Sequence, residues 1–465
     1  FSSFANPNGP DPTSVEQITA RHRGDAEALL KIEYIGGLMK GTMSIIDLPD
    51  AEELAAYARQ VYANTPYNKS KETVASGEPG NPIRTIVGQS SPIKYVFYII
   101  KENRTYDQVL GDVAEGNGDP DLVLFGEKYT PNQHKLVNEF VLLDNFYVDG
   151  EVSADGHSWT MSAQANDYLE KTWVSSYGGR GGTYDSEGKR AIASPDDGFF
   201  WDYCQRAGVS YRSYGEFVDD KKANIPTLEG HFCPDYPGFD MGIRDTVRFN
   251  LWKKEFDSLV AINQVPRFNS IRFGNDHTEG ARVGKPTVFA HVADNDLAVG
   301  LFVEHLSQSK IWNESAVFIV EDDAQNGSDH VDAHRTTAYL AGPFVKRVYI
   351  DHTMYSTSSM LRTMELILGL PPMSQYDAAA EPMWRCFTDQ ADLTPFTSVT
   401  NQVNLNEVNV KMSWAAKQSE KIDLTKEDRV PDLLFSQIIW KAVKGEDSDM
   451  PAPVRSAFLN AKIED

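Results

Sequence analysis

The run Ala316-Val317-Phe318-Ile319-Val320 is apolar at every position and shows no alternation. Such a run predicts a strand buried on both faces, as in the middle of an α/β sheet. Lys94–Lys101 carries the same pattern, with Tyr95 to Ile100 apolar throughout. Further strands are predicted at FVLLDNFYV, VSYRSYGEF and PTVFAHV, and another at GTMSIIDLPD near the start. Helical spacing runs through DLAVGLFVEHLSQS and SSMLRTMELILGL. In AEELAAYARQVYANTP it places Leu54, Tyr57, Ala58, Val61 and Tyr62 on one side, with Asp50 positioned as the cap. Strands alternating with helices predict an α/β fold, a three-layer α/β/α sandwich around a central, mostly parallel sheet.

The same pattern divides the chain. Residues 1–92 read as an N-terminal arm and linker, 93–395 as the main domain and 396–465 as a partly helical C-terminal extension. Between 174 and 285, glycine, proline and aromatic residues accumulate, which predicts a loop-rich cap over the sheet edge. The GGRGG at 178–182 lacks the spacing of a phosphate loop and reads as flexible. With 465 residues, 41% hydrophobic and 24% charged, the chain can bury a large core. Its net charge of −23 excludes a nucleic-acid binder that relies on a broad basic surface. No apolar stretch approaches the ~18 residues of a membrane span. Three cysteines, Cys204, Cys233 and Cys386, permit at most one internal disulfide. A start at Phe1 without a signal pattern fits a removed leader or a piece of a longer protein, and a periplasmic or secreted location is the expectation.

Chemistry gathers directly behind the predicted strands. Glu102 and Asn103 follow the first, and Asp322 and Asp323 follow the run quoted above. Ligands sit at the carboxyl ends of strands in open α/β sheets. Four oxygen donors there suit a divalent cation, Mg²⁺, Ca²⁺, Mn²⁺ or Zn²⁺, one or two in number. The plainer alternative is that Glu102 and Asn103 only cap the next helix. Between them in sequence, EVSADGHSWT offers Ser153 at a turn into a helix, where an attacked phosphate would face free backbone amides. Ser158 is the competing hydroxyl. His157, His277, His330 and His334 supply imidazoles for phosphate oxygens or a leaving group, or for a second metal. His291 and His305 stand in apolar surroundings and are assigned to the fold. No GxSxG, HExxH or CxxC motif is present.

Ile-Lys-Glu-Asn-Arg-Thr-Tyr-Asp at 100–107 resembles the ENR-S/T-x-D signature of the phosphoesterase family within the alkaline phosphatase superfamily, whose branches include acid phosphatases and phospholipases C. Glu321-Asp322-Asp323 through Asp329-His330-Val331 is similar to that family's D-D/E-x-G-G-x-x-D-H-V motif, with Gln325 and Asn326 in place of the glycine pair. NGDPDLVLFGEKYTPN, EVSADGHSW, NDHT and GLPPMSQYDAAAEPM are similar to bacterial proteins that join a YncE-like β-propeller to an alkaline-phosphatase-like domain. The resemblance implies an alkaline-phosphatase-like fold and a phosphoester substrate. It also implies metal ligands at Glu102, Asn103, Asp322 and Asp323, a nucleophile at Ser153, and histidines near the phosphate. An upstream propeller would make GTMSIIDLPD its last piece. The expected activity is metal-dependent phosphoester hydrolysis through a phosphoserine. The alternative from another class is a non-catalytic module whose metal serves stability or assembly.

Overall fold

A computed structural model describes residues 43, 45–179 and 182–454. Among these the main sheet has five strands: β1 (Tyr95–Lys101), β2 (Tyr211–Tyr214), β3 (Phe268–Arg272), β4 (Ser315–Glu321) and β5 (Ala338–Ala341). Their order is β2-β3-β1-β4-β5. All neighbours are parallel except β4 and β5. The two apolar runs form the middle of the sheet, and every residue of β4 is buried. Burying a side chain such as Ile99 or Ile319 contributes about 1.5–3 kcal/mol. Register aligns the strand ends: Lys101 lies opposite Glu321, and Ile100 opposite Arg272. The residues that follow these three strands therefore emerge side by side.

Helices cover both faces. On one, Phe97 of β1 meets Trp252, Phe256 and Phe302 with ring centroids 6.4, 6.0 and 5.9 Å away. Those rings belong to the helices Asp245–Ala261 and Val288–Ser307. On the other, Phe268 packs on Phe200, and Trp201 Nε1 donates to Ser270 Oγ at 3.2 Å. The helices Ser153–Ser162 (here α1) and Thr357–Leu368 (α2) pack together on this second side. The fold is the expected α/β arrangement, with a mostly parallel sheet between helical layers.

Several local expectations are corrected. PTVFAHV is not a strand; Val288 to Val292 open a long helix capped by Thr287, whose side chain accepts from the Ala290 amide at 3.1 Å. Its β-branched residues mimic a strand only until the helical period beyond them is counted. FVLLDNFYV splits into the short strands Val141–Leu143 and Phe146–Tyr147, which pair with Tyr349–Asp351 and Tyr355–Ser356 outside the main sheet. Of GTMSIIDLPD, residues 41, 42 and 44 lie outside the described ones; Ile45–Asp50 form no strand, and Ile45 and Ile46 are exposed with no strand paired to them among the described residues. The helix Ala51–Asn64 does form, and Asp50 accepts from the Glu52 and Glu53 amides at 2.8 and 2.9 Å. Its apolar side is not buried against any described residue. The interval 174–285 is more than a loop-rich cap, since it supplies β2, β3 and the helix Asp245–Ala261.

The C-terminal extension includes the helix Asp432–Lys444 (α3), which builds a second apolar core. Leu434, Phe435 and Ile438 meet Leu122, Phe125, Val288 and Val292 there. That packing brings the loop just before α3 to the carboxyl end of the sheet. All three cysteines are buried and free. Among the described residues no helix is long and apolar enough to cross a membrane.

Candidate active site

The turns after β1 and β4 meet at one carboxylate. Asn103 Nδ2 donates to both oxygens of Asp323, at 3.1 and 3.0 Å. Ser153 Oγ, on the first residue of α1, donates to Asp323 Oδ2 at 3.0 Å. Asn103 holds φ +72, a left-handed conformation that asparagine tolerates better than most residues. α1 comes this close because Gly156 lies against the backbone of Asp322: a β-carbon at Gly156 would stand 2.6 Å from the Asp322 carbonyl oxygen.

A second knot lies beside the first. Glu102 Oε1 accepts from Arg272 Nε and Nη2 at 2.9 and 2.6 Å. His157 Nε2 stands 2.8 Å from Arg272 Nη2, 3.4 Å from Asp322 Oδ2 and 3.6 Å from Glu102 Oε1. His157 Nδ1 faces Glu216 Oε2 at 3.1 Å. Arg272 also reaches Glu187 and Glu427, at 3.0 and 3.2 Å. Burial alone would raise the Glu102 carboxyl, but Arg272 and then His157 outweigh it and hold it down to about 2. Behind this layer, Lys101 pairs with Glu321 and Asp276 at 2.6 and 2.7 Å. Glu321 thus belongs to the floor of the site.

Of the nine residues singled out from sequence, Glu102, Asn103, Ser153, His157, Asp322 and Asp323 come together and are buried. His277 lies on the turn after β3, edge-on to Phe239 and against Phe435. Its Nδ1 faces the Thr278 carbonyl at 3.0 Å, and burial pushes its pKa below the ordinary value. The other two histidines point elsewhere. His330 Nδ1 sits 2.6 Å from Asp107 Oδ2, while His334 is held by Asp332 and Glu151 at the rim. Sequence reasoning missed Arg272, Glu187, Glu216, Glu427 and Asp428. Arg272 ends a strand whose Asn269 and Ser270 break the apolar pattern, and the others lie in loops.

A divalent cation fits the oxygens of Glu102, Asn103, Asp322 and Asp323, which span both groups. Glu102 Oε2, Asn103 Oδ1 and both Asp322 oxygens are buried with no hydrogen-bond partner, a combination that native interiors avoid. Burial also raises Asp322 to about 7, and burial with repulsion from Asp322 lifts Asp323 well above the carboxylate range. Positive charge at this point would satisfy the donors and relieve the repulsion. A different trio, Asp107, Asp329 and His330, brings ligand atoms within 4.8 Å of one another. There the guanidinium of Arg335 already fills the cation's place, 2.9 Å from Asp107 and 3.1 Å from Asp329.

A hydroxyl at a helix start is thus hydrogen-bonded to a carboxylate that lies among buried oxygen atoms at the strand ends. The sequence profile of the Phosphoesterase family matches residues 121–371, more than half of the chain, and the chain belongs to that family. It is a hydrolase acting on phosphoester bonds. No curated protein matches it. Among solved structures it is similar to a protein in the alkaline phosphatase superfamily from Vibrio parahaemolyticus, at 17% identity over 69% of this chain and 77% of that one, TM-score 0.44. It is also similar to the lipoteichoic acid synthase LtaP from Listeria monocytogenes, at 12% identity over 82% and 98% of the two chains, TM-score 0.44. The phosphonate monoester hydrolase of Agrobacterium radiobacter is a further relative in shape, at 12% identity over 60% and 74%, TM-score 0.36.

Proposed function

We propose that the chain is a metal-dependent phosphoester hydrolase with Ser153 as its nucleophile. The observation that carries this reading is the Ser153 Oγ hydrogen bond to Asp323 Oδ2 at 3.0 Å, on a carboxylate that also receives Asn103. The Ser153 hydroxyl donates to Asp323 Oδ2, so its proton can pass along that hydrogen bond as the bond to phosphorus forms. Ser153 Oγ then forms a bond to phosphorus as the ester alkoxide leaves, giving a phosphoserine. Water attacks this intermediate in the second half, returning the proton to Ser153 and releasing phosphate. Glu102, Asn103, Asp322 and Asp323 would hold the cation, whose charge would offset that of the phosphoryl oxygens. Arg272 is committed to Glu102, Glu187 and Glu427, so its part is to fix the orientation of Glu102 and His157.

Turnover of p-nitrophenyl phosphate and of its bis-ester tests the reading and ranks monoesters against diesters. Ser153→Ala is expected to lose roughly 10³-fold or more in kcat with an unchanged melting curve. Full activity in that variant would refute the nucleophile. Metal content measured on the purified protein should fall in Asp322→Asn, and a chelator should lower the wild-type melting temperature.

A further inference from the structure

A cavity of about 110 Å³ lies between the loop that follows β3 and the helix Val288–Ser307. Asn275 and Glu279 line it from the loop, His291 and Asp294 from the helix, and Arg244 and Lys285 stand in the same wall. It shares no residue with the cluster around Ser153. His291, assigned to the fold by its apolar surroundings in sequence, lines a polar cavity instead. Three buried side chains here each keep one atom without a hydrogen-bond partner: Asn275 Oδ1, Glu279 Oε2 and His291 Nε2. Asn275 Nδ2 donates to Asp294 Oδ2 at 3.3 Å, which leaves the amide oxygen over. Glu279 Oε1 pairs with Lys285 Nζ at 3.2 Å, which leaves Oε2. His291 Nε2 stands 3.8 Å from that Oε2, too far for a hydrogen bond, and neither atom is open to water.

Zinc bonds of about 2.0–2.2 Å to nitrogen and oxygen put two ligand atoms up to about 4 Å apart, so an ion bridges a gap that neither a hydrogen bond nor water fills. Imidazole with carboxylate is a donor pair suited to zinc. We propose that Glu279 and His291, with the Asn275 amide oxygen beside them, form a second metal site of the zinc class. The cavity alongside has room for the waters that complete its coordination. Burial, with the charges of His277, Arg244 and Lys285, holds the His291 imidazole down to about 3, so no proton has to leave before a metal binds at neutral pH. The carboxylates of Glu279 and Asp294 offset Arg244 and Lys285. Lys285 has a side chain 45% exposed, and it can swing into solvent when an ion takes Glu279. Such an ion would tie the loop after β3 to the long helix. That loop carries His277, and a β-carbon at its Gly274 would stand 3.2 Å from Glu102 Cδ, so the ion would steady the back of the active site.

The test uses the full chain, stripped with a chelator and titrated with Zn²⁺, with bound zinc counted by mass spectrometry. Asp322→Asn removes a donor from the strand-end cluster and should still hold one zinc ion. Adding His291→Gln or Glu279→Gln should weaken that zinc roughly 100-fold or more, since losing even an outer partner costs roughly 10–100-fold. In the same background Lys285→Met should tighten it about two- to fivefold, by relieving Glu279 of a competing charge. Zinc affinity of Asp322→Asn that is the same with and without His291→Gln overturns the inference. So does an Asp322→Asn protein that binds no zinc. Should the double variants with Gln fail to fold, Lys285→Met decides: tighter zinc supports the site and unchanged affinity overturns it. None of these results depends on Ser153, whose substitution tests the nucleophile separately.

Discussion

Replacing Arg335 by methionine tests whether the Asp107–Asp329–His330 cluster is a structural ion pair. The guanidinium is fully buried, with Nε 3.1 Å from Asp329, Nη2 2.9 Å from Asp107, and Nη1 donating to the carbonyls of Asn117 and Asp144 at 2.7 and 3.0 Å. Breaking a buried pair by removing one partner costs about 3–5 kcal/mol, because the other charge is left without compensation. Methionine matches the length of the side chain, so the loss measures electrostatics more than a void. Burial raises Asp329 to about 6, with Arg335 opposing that rise. A raised carboxyl costs stability as pH climbs from its ordinary value to about 6, and without Arg335 that cost extends to higher pH. The deficit of Arg335→Met should therefore be larger at pH 8 than at pH 5. Urea unfolding followed by tryptophan fluorescence measures both. Removing the guanidinium also leaves three ligand atoms within 4.8 Å of one another. Zinc at about 100 times its Kd for this trio should then return about 2.7 kcal/mol to the variant beyond any effect it has on wild type through Glu102, Asn103, Asp322 and Asp323 or through Glu279 and His291. A deficit below about 1 kcal/mol at pH 8 would refute the assignment.

Other outcomes follow from particular contacts. Gly156→Ala should cut kcat roughly 10²-fold, since its methyl would push α1 and Ser153 away from the Asp322 backbone; unchanged kinetics would deny the close approach. Gln325→Gly should raise the unfolding free energy by about 0.5–1 kcal/mol, because Gln325 is held at φ +47 in a tight turn; a lowered value in urea unfolding would mean its side chain matters more than its backbone. His134 donates from Nε2 to Asp112 at 2.9 Å and from Nδ1 to the Thr130 carbonyl at 2.8 Å, an arrangement that needs the charged ring. Burial opposes that charge, but the Asp112 bond outweighs it and raises the His134 pKa. A raised histidine stabilises below its unfolded value and loses that stabilisation as pH rises through its folded one. Asp112→Asn should accordingly cost about 1 kcal/mol at pH 5.5 and less at pH 8.5, in paired urea titrations; a constant difference would exclude the linkage.

The middle of the sheet was legible because β1 and β4 are buried on both faces, and such strands write themselves as unbroken apolar runs. β3 escaped notice because Asn269 and Ser270 interrupt its apolar run; Asn269 donates to the nearby Pro266 carbonyl, and Ser270 accepts from Trp201 of a distant helix. The acidic turns announced themselves through residue type and place, and Gln325 and Asn326 illustrate the limit of motif reading. They stand in the motif's glycine positions and adopt left-handed angles of +47 and +52 anyway, so the turn is kept although its usual residues are gone. His330 and His334 were credible from spacing alone. Only the three-dimensional positions of Asp107, Asp332 and Glu151 show where their rings are spent. Glu427 and Asp428 carried no signal, because their significance comes from α3 packing against Phe125 and Val292.

The docking of α3 divides authorship of the reaction chamber. The ends of β1 and β4 supply the oxygen donors and the start of α1 the hydroxyl, whereas the carboxylate against the Ser153 and Ala154 amides comes from the tail. Mutational change in that tail can remodel what the chamber admits while the chemical machinery stays as it is, so two proteins with identical motifs could part company in substrate through sequence that motif searches never read.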